Sequence, residues 1–282
     1  MSDTLPPLRE VIERYDLGAK KSLGQHFLLD LNMTRKIART ASVALDDTVL
    51  EIGPGPGGLT RALLELGAEV VAIERDHRCM EALAEARAAF DNRLTLIEAD
   101  ALAADEIALL GNAAPVKIVA NLPYNISTEL LIKWLKAGPA LWSVMALMFQ
   151  KEVADRILSS PGSKAYGRLS VIAQTLSRPS RAFNLPARAF TPPPKVDSTV
   201  VLFEQRETPF PAVAALERVT QAAFSQRRKM LRSSLKPVFA DALPSALDAA
   251  GVKETQRAEE LTVAQFQRLA TYLDPSRGQR QL

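Results

Sequence analysis

Apolar and polar positions alternate in two different ways along the chain. From Thr48 to about Phe149, short apolar runs take turns with segments whose apolar residues recur at helical spacing. The strand-like runs are "TVLEI" (48–52), "EVVAI" (69–73), "LTLIEAD" (94–100), "VKIVAN" (116–121) and "SVMALMF" (143–149). Strands that alternate with helices form parallel sheets with right-handed crossovers, and strands this apolar are covered on both faces. The pattern predicts an α/β fold with a doubly wound, mostly parallel sheet.

The pattern changes in the last third of the chain. Two more strand-like runs, "RAFNL" (181–185) and "STVVLFE" (198–204), flank the proline-rich "TPPPK" and predict an antiparallel edge that closes the sheet. The following "RETPFPAV" resembles a linker, and residues 214–273 are helical in pattern throughout. We therefore expect a first domain over 1–206, with 1–20 as a mobile arm, and a smaller all-helical domain over 207–282.

Composition narrows the functional classes. The chain has 282 residues, 47% of them hydrophobic and 24% charged, as in ordinary folded proteins. No apolar run reaches the roughly 18 residues of a membrane helix, and the acidic N-terminus has no apolar signal region, so we expect a cytoplasmic protein. Cys79 is the single cysteine and only two histidines are present, which excludes an intrachain disulfide and argues against any metal site.

A glycine-rich loop, "EIGPGPGGLT" (51–60), follows the first predicted strand and opens a helix. Gly53, Gly55 and Gly58 satisfy the dinucleotide fingerprint G-x-G-x-x-G. Glycines permit positive φ and a close approach of the backbone to a ligand, although a tight turn without a ligand is the alternative. Two prolines inside the loop, and Glu51 ahead of it, are unusual for a pyrophosphate cradle. They resemble the loop of S-adenosylmethionine enzymes with a Rossmann-like sheet.

Two acidic residues end the next two predicted strands. Glu74 lies 21 residues beyond Gly53, where a carboxylate accepts hydrogen bonds from both ribose hydroxyls of a nucleotide cofactor. Asp100 ends "IEAD", beside the expected adenine position, and its carboxylate would accept from the adenine amino group. Each acid alone is also compatible with a solvated strand end, and Glu74 would serve an NAD enzyme equally well. Both lie at the carboxyl edge of the sheet, where such folds bind ligands.

The box "NLPY" follows the apolar run "VKIVA" at the same predicted edge. The Asn121 amide oxygen and the Leu122 carbonyl are two acceptors, Pro123 makes the turn rigid, and Tyr124 adds a flat aromatic face. An aromatic amine fits this set, because it donates two N–H bonds while its ring stacks. A turn alone would explain the asparagine and proline but not their place beside a cofactor loop.

Several long motifs, in the same order, resemble the bacterial small-subunit ribosomal RNA adenine N6,N6-dimethyltransferases over about residues 20–240. They are "KKSLGQHFLLD" (20–30), "LEIGPGPGGLT" (50–60), "NLPYNIST" (121–128), "FQKEVADR" (149–156), "YGRLSV" (166–171) and "FTPPPKVDSTVV" (190–201). The resemblance implies transfer of four methyl groups from S-adenosylmethionine to two adjacent adenosines in a hairpin near the 3′ end of the small-subunit RNA. It also implies a pre-assembled subunit as the partner, and we expect a monomer.

The resemblance assigns roles to matching positions. The cofactor contacts would be His26, Leu28, Gly53, Gly55, Glu74, Asp100 and Asn121. The catalytic set would be Asn121, Leu122, Pro123 and Tyr124, with Phe190 as the candidate for the second face of the flipped adenine and a plain core role as its alternative. His26 departs from the pattern of the family, in which many members carry Asn at this position.

A basic segment, "AFSQRRKMLRSSLK" (223–236), contains five cations and no acid. On a continuous helix, Arg228, Arg232 and Lys236 would form a stripe with one-turn spacing, which is the electrostatic footprint of a phosphate-binding surface. A solvated helix face is the alternative. The predicted RNA contacts are Arg227, Arg228, Lys229, Arg232 and Lys236, and the weaker candidates are Lys20, Lys21, Arg168 and Lys195.

Three other functions are alternatives to a small-subunit RNA dimethyltransferase. The methylase that modifies large-subunit RNA and confers macrolide resistance shares the glycine loop and an N-x-P-Y box, although the "FTPPPKVDS" stretch favours the small-subunit enzyme. A ribosome-assembly factor that acts mainly by binding would not depend on Asn121. An NAD dehydrogenase would need a hydride-transfer site, for which the sequence offers no residues.

Overall fold

The computed structural model of the chain describes residues 5–18 and 25–274. Its helices are α1 Leu8–Arg14, α2 Leu31–Thr40, α3 Gly58–Glu65, α4 His77–Ala89, α5 Glu106–Leu110, α6 Ser127–Ala137, α7 Lys151–Ile157, α8 Arg168–Leu176, α9 Val213–Ser225, α10 Leu231–Ser234, α11 Lys236–Phe239, α12 Leu243–Ala250 and α13 Val263–Leu273. Its strands are β1 Phe27–Leu28, β2 Thr48–Ile52, β3 Glu69–Glu74, β4 Leu94–Glu98, β5 Val116–Asn121, β6 Trp142–Gln150, β7 Arg178–Leu185, β8 Phe190–Thr191 and β9 Ser198–Glu204.

Seven strands form one sheet in the order β4-β3-β2-β5-β6-β9-β7. Strands β2 to β6 run parallel to one another. Strand β9 pairs antiparallel with β6, in a register that sets Leu147 opposite Val201. The predicted α/β fold, with its antiparallel edge, is confirmed. The small antiparallel sheet of β1 and β8 was not predicted, because two-residue strands carry no periodicity.

Strand composition explains why the sheet is central. Val49, Leu50 and Ile118 on neighbouring strands are at most 1% exposed, and helices supply apolar side chains such as Leu63 of α3 against the sheet. Because β2 to β6 run in the same direction, their carboxyl ends lie at one edge of the sheet. Gly53 directly follows β2, Glu74 is the last residue of β3 and Asn121 is the last residue of β5, so all three lie at that edge. Strand β4 ends at Glu98, two residues earlier than predicted, so Asp100 lies in the turn that follows.

The N-terminal segment differs from its prediction as a mobile arm. Residues 5–18 contain α1, and Leu8, Val11 and Leu17 are buried, the last two in a cluster with Cys79 and Ala82 of α4. Burial of these apolar side chains holds the segment in place. The helix "LREVIER" has only seven residues, too few for its apolar spacing to predict a helix from the sequence. The remainder of the predicted arm, residues 1–4 and 19–20, lies outside the described residues.

The described residues group into two compact units. One unit holds the sheet and ends at Ala154, with Ser180–Gln205 returning to it, and the other combines Asp155–Pro179 with the chain from Arg206 onward. The second unit has its own core, in which Tyr166 packs with residues of α9 to α13. The expected domain boundary near residue 206 corresponds to the third crossing between the units, but α8 belongs to the helical unit although it precedes residue 206 in the chain.

None of the helices in residues 5–18 and 25–274 combines the length and apolar content needed to cross a membrane.

Candidate active site

A cavity of about 150 Å³ opens at the carboxyl edge of the parallel strands, within the sheet-containing unit. The loops after β2, β3, β4 and β5 all contribute to its wall, together with the segment at β1. Every residue predicted to contact a cofactor lines it: His26, Leu28, Gly53, Gly55, Glu74, Asp100 and Asn121. Five segments that are distant in sequence therefore converge on one site.

The glycine loop needs its glycines for conformation and for space. Gly53 and Gly55 have φ of +66° and +56°, a region that other residues rarely adopt. A Cβ at Gly55 would stand 3.0 Å from the Phe27 ring, and a Cβ at Gly58 would stand 2.8 Å from the Leu28 carbonyl oxygen. The loop therefore packs tightly on β1 at the cavity wall.

Glu74 is held rigidly at the end of β3. Its carboxylate accepts hydrogen bonds from the backbone N–H groups of Gly55 at 3.2 Å, Arg75 at 2.8 Å and Asp76 at 2.8 Å. Burial raises the pKa of this carboxyl, and the three N–H donors oppose that shift because they favour the charged form. Glu74 thus presents a pre-oriented acceptor to the cavity, as its predicted role at a ribose requires.

Asp100 has a partner that the sequence did not suggest. One carboxylate oxygen accepts from the Leu102 N–H at 3.0 Å, and the other pairs with the Arg75 guanidinium at 3.1 Å. Each carboxylate oxygen accepts more than one hydrogen bond, so an amino group could still be bound here. Arg75 also lines the cavity, and its position directly after Glu74 was the only sequence signal for it.

Lys133 ties the Asp100 turn to α6, the helix that begins after the NLPY box. Its ammonium group donates to the carbonyls of Ala101, at 3.0 Å, and Ala104, and to the Glu106 carboxylate at 2.9 Å. Trp134 donates its indole N–H to the same carboxylate at 2.9 Å. Glu106 is buried, so this network fixes the turn on the cofactor side relative to the helix on the NLPY side.

The Asn121 side chain has a defined orientation. Its Nδ2 donates to the backbone carbonyl oxygen of His26 at 3.2 Å. A carbonyl only accepts, so the NH₂ group must face His26, and the amide oxygen is the group that Asn121 offers to a ligand. Leu122 and Pro123 follow in the cavity wall, as predicted. The structure brings the expected acceptor and its rigid turn together.

Tyr124 is fixed by both ends of its side chain. The hydroxyl shares a hydrogen bond of 2.7 Å with Ser198 Oγ at the start of β9, and burial raises the pKa of the phenol. The His26 ring lies beside the tyrosine ring, with centroids 5.4 Å apart and planes tilted by 31°. His26 Nδ1 in turn donates to the Pro192 carbonyl at 2.8 Å. His26 therefore contacts both Asn121 and Tyr124 of the box and helps to hold them in position.

Phe190 does not line the cavity, which corrects its prediction as the second aromatic face. Its ring is 2% exposed and packs in the core below the sheet edge. Its backbone pairs with Leu28 in the β1–β8 sheet. Phe190 thus has the core role that was its alternative.

Glu51 lines the cavity, although the sequence marked it only as an unusual residue ahead of a glycine loop. It is 1% exposed, and one carboxyl oxygen accepts from the Thr60 hydroxyl at 2.7 Å. Burial, with a further contribution from the charge of Glu74, raises the pKa of Glu51 to about 8. The carboxyl is therefore mostly neutral at pH 7.

The basic segment of the helical unit is not one continuous helix. Helix α9 ends at Ser225, and the backbone of residues 230–232 is bound instead to residues 254–257, which breaks the predicted stripe. Arg227 is used internally: its guanidinium donates to the carbonyls of Lys164 and Tyr166 at 2.8 and 2.9 Å and pairs with Glu259 at 3.1 Å.

The other cations of that segment remain at the surface. Arg228 and Lys229 lie in the exposed turn after α9, Lys236 is exposed at the start of α11, and Arg232 has only an exposed pairing with Glu254 at 3.7 Å. Of the weaker candidates, Arg168 lies 3.7 Å from Glu217, Lys195 is exposed, and Lys20 and Lys21 fall outside the described residues. Among the other cations of that segment, the candidates for phosphate binding that remain exposed are Arg228 and Lys229 in the turn, Arg232 in α10 and Lys236 in α11.

Comparison with known proteins decides the family. Residues 17–275 match the family model described as "Ribosomal RNA adenine dimethylase". The chain belongs to that family. It is 57% identical over 275 residues to a protein of Sinorhizobium medicae named "Ribosomal RNA small subunit methyltransferase A", covering 96% of this chain and 98% of that one. A protein of Brucella suis with the same name is 56% identical over 271 residues, covering 95% and 97%.

Solved structures agree with this membership. A dimethyladenosine transferase from Plasmodium falciparum superposes with a TM-score of 0.72 at 27% identity, over 86% of this chain and 96% of that one. The 23S rRNA methyltransferase ErmE superposes with a TM-score of 0.67 at 28% identity, over 88% and 99%. Enzymes that modify small-subunit and large-subunit RNA share this fold, so the fold alone does not separate them. The sequence identity does: it is 57% to the small-subunit methyltransferase of Sinorhizobium medicae and 28% to ErmE.

Within residues 5–18 and 25–274, no three His, Cys, Asp or Glu side chains are grouped as a metal site requires.

Proposed function

We propose that the protein transfers methyl groups from S-adenosylmethionine to N6 of two adjacent adenosines in the 3′-terminal hairpin of small-subunit ribosomal RNA. The observation that carries the proposal is the orientation of Asn121. Its NH₂ group is bound by the His26 carbonyl, so its oxygen is the acceptor at the edge that also carries the glycine loop. Family membership and the names of the relatives support the same reaction.

The residues around the cavity fit the cofactor. The glycine loop brings backbone close to a ligand without side chains in the way, Glu74 offers an oriented carboxylate for ribose hydroxyls, and Asp100 offers one for an amino group. Apolar side chains such as Ile52 and Leu102 line the same wall. When bound, S-adenosylmethionine supplies a methyl group on a positively charged sulfonium, activated for displacement.

Asn121 and Leu122 would act on the attacking amine. The lone pair of adenine N6 is delocalised into the ring, which makes this nitrogen a poor nucleophile. Two acceptors, the Asn121 amide oxygen and the Leu122 carbonyl, would bind its two hydrogens and favour a more localised lone pair aimed at the methyl group. Pro123 holds these acceptors in one geometry, and Tyr124, locked by Ser198, offers its ring to the flipped base.

No side chain is needed to remove a proton before attack, because the methylated amine is cationic and releases its proton readily to water. His26 is committed to the Pro192 carbonyl through Nδ1 and to Asn121 through its backbone, which makes it a positioning residue in this scheme. The second histidine, His77, is exposed and pairs with Glu98 at 3.0 Å.

The exposed cations of the helical unit would contact the RNA backbone. Arg228, Lys229 and Lys236 are unshielded by acidic neighbours in the segment 223–236, so phosphate binding there would release counterions and depend on salt. We further propose that the substrate is a pre-assembled small subunit in the cytoplasm and that the protein acts as a monomer.

The test is methyl transfer to intact ribosomal subunits. Under-methylated small subunits and, in parallel, large subunits are incubated with tritiated S-adenosylmethionine and the protein, and the labelled adenosines are mapped. Paired dimethyladenosines near the 3′ end of the small-subunit RNA are expected. Label confined to large-subunit RNA would replace the proposal with the resistance methylase. Absence of label with intact subunit binding would leave an assembly factor.

A further inference from the structure

The loop of residues 192–197, called here the proline loop, is anchored at both ends to the candidate active site. Its first residue, Pro192, accepts a hydrogen bond from His26 Nδ1 at 2.8 Å. The residue that follows its end, Ser198, is bound to the Tyr124 hydroxyl at 2.7 Å. Both His26 and Tyr124 line the cavity, so the loop lies beside the place where a target base must enter.

The proline loop is also braced from behind. The Asp197 carboxylate accepts from the Ala187 N–H at 2.9 Å, and the Asp197 carbonyl accepts from the Lys151 N–H at 2.8 Å. Three consecutive prolines fix φ over residues 192–194. The backbone of this loop is therefore held in place before any RNA binds.

Three consecutive exposed residues follow the prolines, Lys195, Val196 and Asp197, of which Asp197 has its carboxylate bound to the Ala187 N–H. Val196 is 43% exposed although it is apolar. It precedes Ser198 by two residues, which span at most about 7 Å, so it stands close to the hydroxyl end of Tyr124. The loop that carries this apolar group and this cation thus lies next to two residues of the cavity wall, His26 and Tyr124.

This arrangement matches what extraction of a base requires. A target adenosine must leave its stack to bring N6 into the cavity, and the gap that it leaves costs stacking energy. Proteins that unstack nucleic acids commonly insert a rigid apolar side chain between bases. On the basis of the proposed function, we propose that Val196 inserts into the gap left by the target adenosine, while Lys195 binds a flanking phosphate.

Isolated apolar side chains on a surface are common and often have no role. Leu45 supplies the comparison within this chain: it is 71% exposed and lies against Gly67. Unlike Leu45, Val196 is fixed by its loop to two residues of the candidate site. A change at Leu45 therefore controls for the loss of an exposed apolar group.

The experiment uses small subunits reconstituted with RNA that carries 2-aminopurine at the target position, whose fluorescence rises when the base unstacks. Saturating wild-type protein and Leu45→Ser are expected to give the same rise, Val196→Ser a clearly smaller one, and Val196→Met a rise close to wild type. With under-methylated small subunits, Val196→Ser should lower kcat/KM about tenfold, equivalent to about 1.4 kcal/mol in the barrier. Cofactor affinity should be unchanged in all variants.

The outcomes separate the two proposals. Wild-type fluorescence and activity in Val196→Ser would overturn the insertion role and leave the proposed function standing. An equal loss in Leu45→Ser would overturn it too, because the effect would then reflect general surface change. A wild-type protein that labels no small-subunit adenosine would overturn the proposed function and, with it, this inference.

Discussion

Glu51 makes the stability of the unliganded protein depend on pH in a direction that can be worked out. Burial raises its pKa from 4.5 to about 8 in the folded state. Between these values the unfolded chain releases the proton while the folded protein keeps it, so folding stability falls as pH rises through this window. Each pH unit corresponds to about 1.4 kcal/mol, and the loss from pH 4.5 to 7 is therefore about 3 kcal/mol.

Glu51→Gln removes this titration and keeps an oxygen that accepts from the Thr60 hydroxyl. Urea unfolding of both proteins without cofactor, at pH 5, 6, 7 and 8, gives the difference in unfolding free energy at each pH. That difference should shift in favour of the variant by about 1.4 kcal/mol per unit until it levels off near pH 8. Glu129→Gln, an exposed change on α6, is the matched control for the loss of a carboxylate.

Taking the difference between variants cancels the titration of the other acids and of His77. Curves for Glu51→Gln and wild type that stay parallel from pH 5 to 8 would refute the raised pKa. They would also show that water or a neighbouring cation stabilises the charged carboxylate in the folded protein.

Four further substitutions probe other parts of the structure. Gly55→Ala should weaken cofactor binding at least tenfold by calorimetry, because its φ of +56° is strained for alanine and the new methyl group meets the Phe27 ring at 3.0 Å; unchanged affinity would contradict this packing. Lys133→Met should destabilise the protein by about 3 kcal/mol in urea unfolding, because it leaves a buried carboxylate unpaired, and equal stability would show that the network contributes nothing. Arg227→Ala should lower the melting temperature, because the side chain binds two carbonyls, whereas Arg228→Ala should leave it unchanged and reduce the salt slope of RNA binding by about 1; the opposite pattern would reverse their roles.

Features that depend on short-range pattern could be predicted from the sequence. Apolar strands separated by helical segments dictate a parallel sheet, and a parallel sheet brings strand ends to one edge. The positions of Gly53, Glu74 and Asn121 at the cavity follow from that rule alone. The identity of the ligand did not follow from it, and the motifs of the family were needed for that step.

Features that depend on contacts distant in sequence could not be predicted. Phe190 was expected at the base because it precedes a rigid loop, but its backbone pairs with β1 and its ring is buried. The basic stripe assumed one helix, whereas backbone pairing with residues 254–257 breaks it, and Arg227 turned inward to two carbonyls. The orientation of Asn121 likewise depends on a carbonyl 95 positions away.

The central claim is that Asn121 presents an acceptor to the amine of a small-subunit adenosine. The most direct measurement is single-turnover methyl transfer by wild type and Asn121→Ala to under-methylated small subunits, with subunit binding measured in parallel. Loss of one oriented acceptor should slow transfer by about 10²- to 10³-fold while subunit binding persists. Dimethyladenosine formed by Asn121→Ala at the wild-type rate would contradict the account.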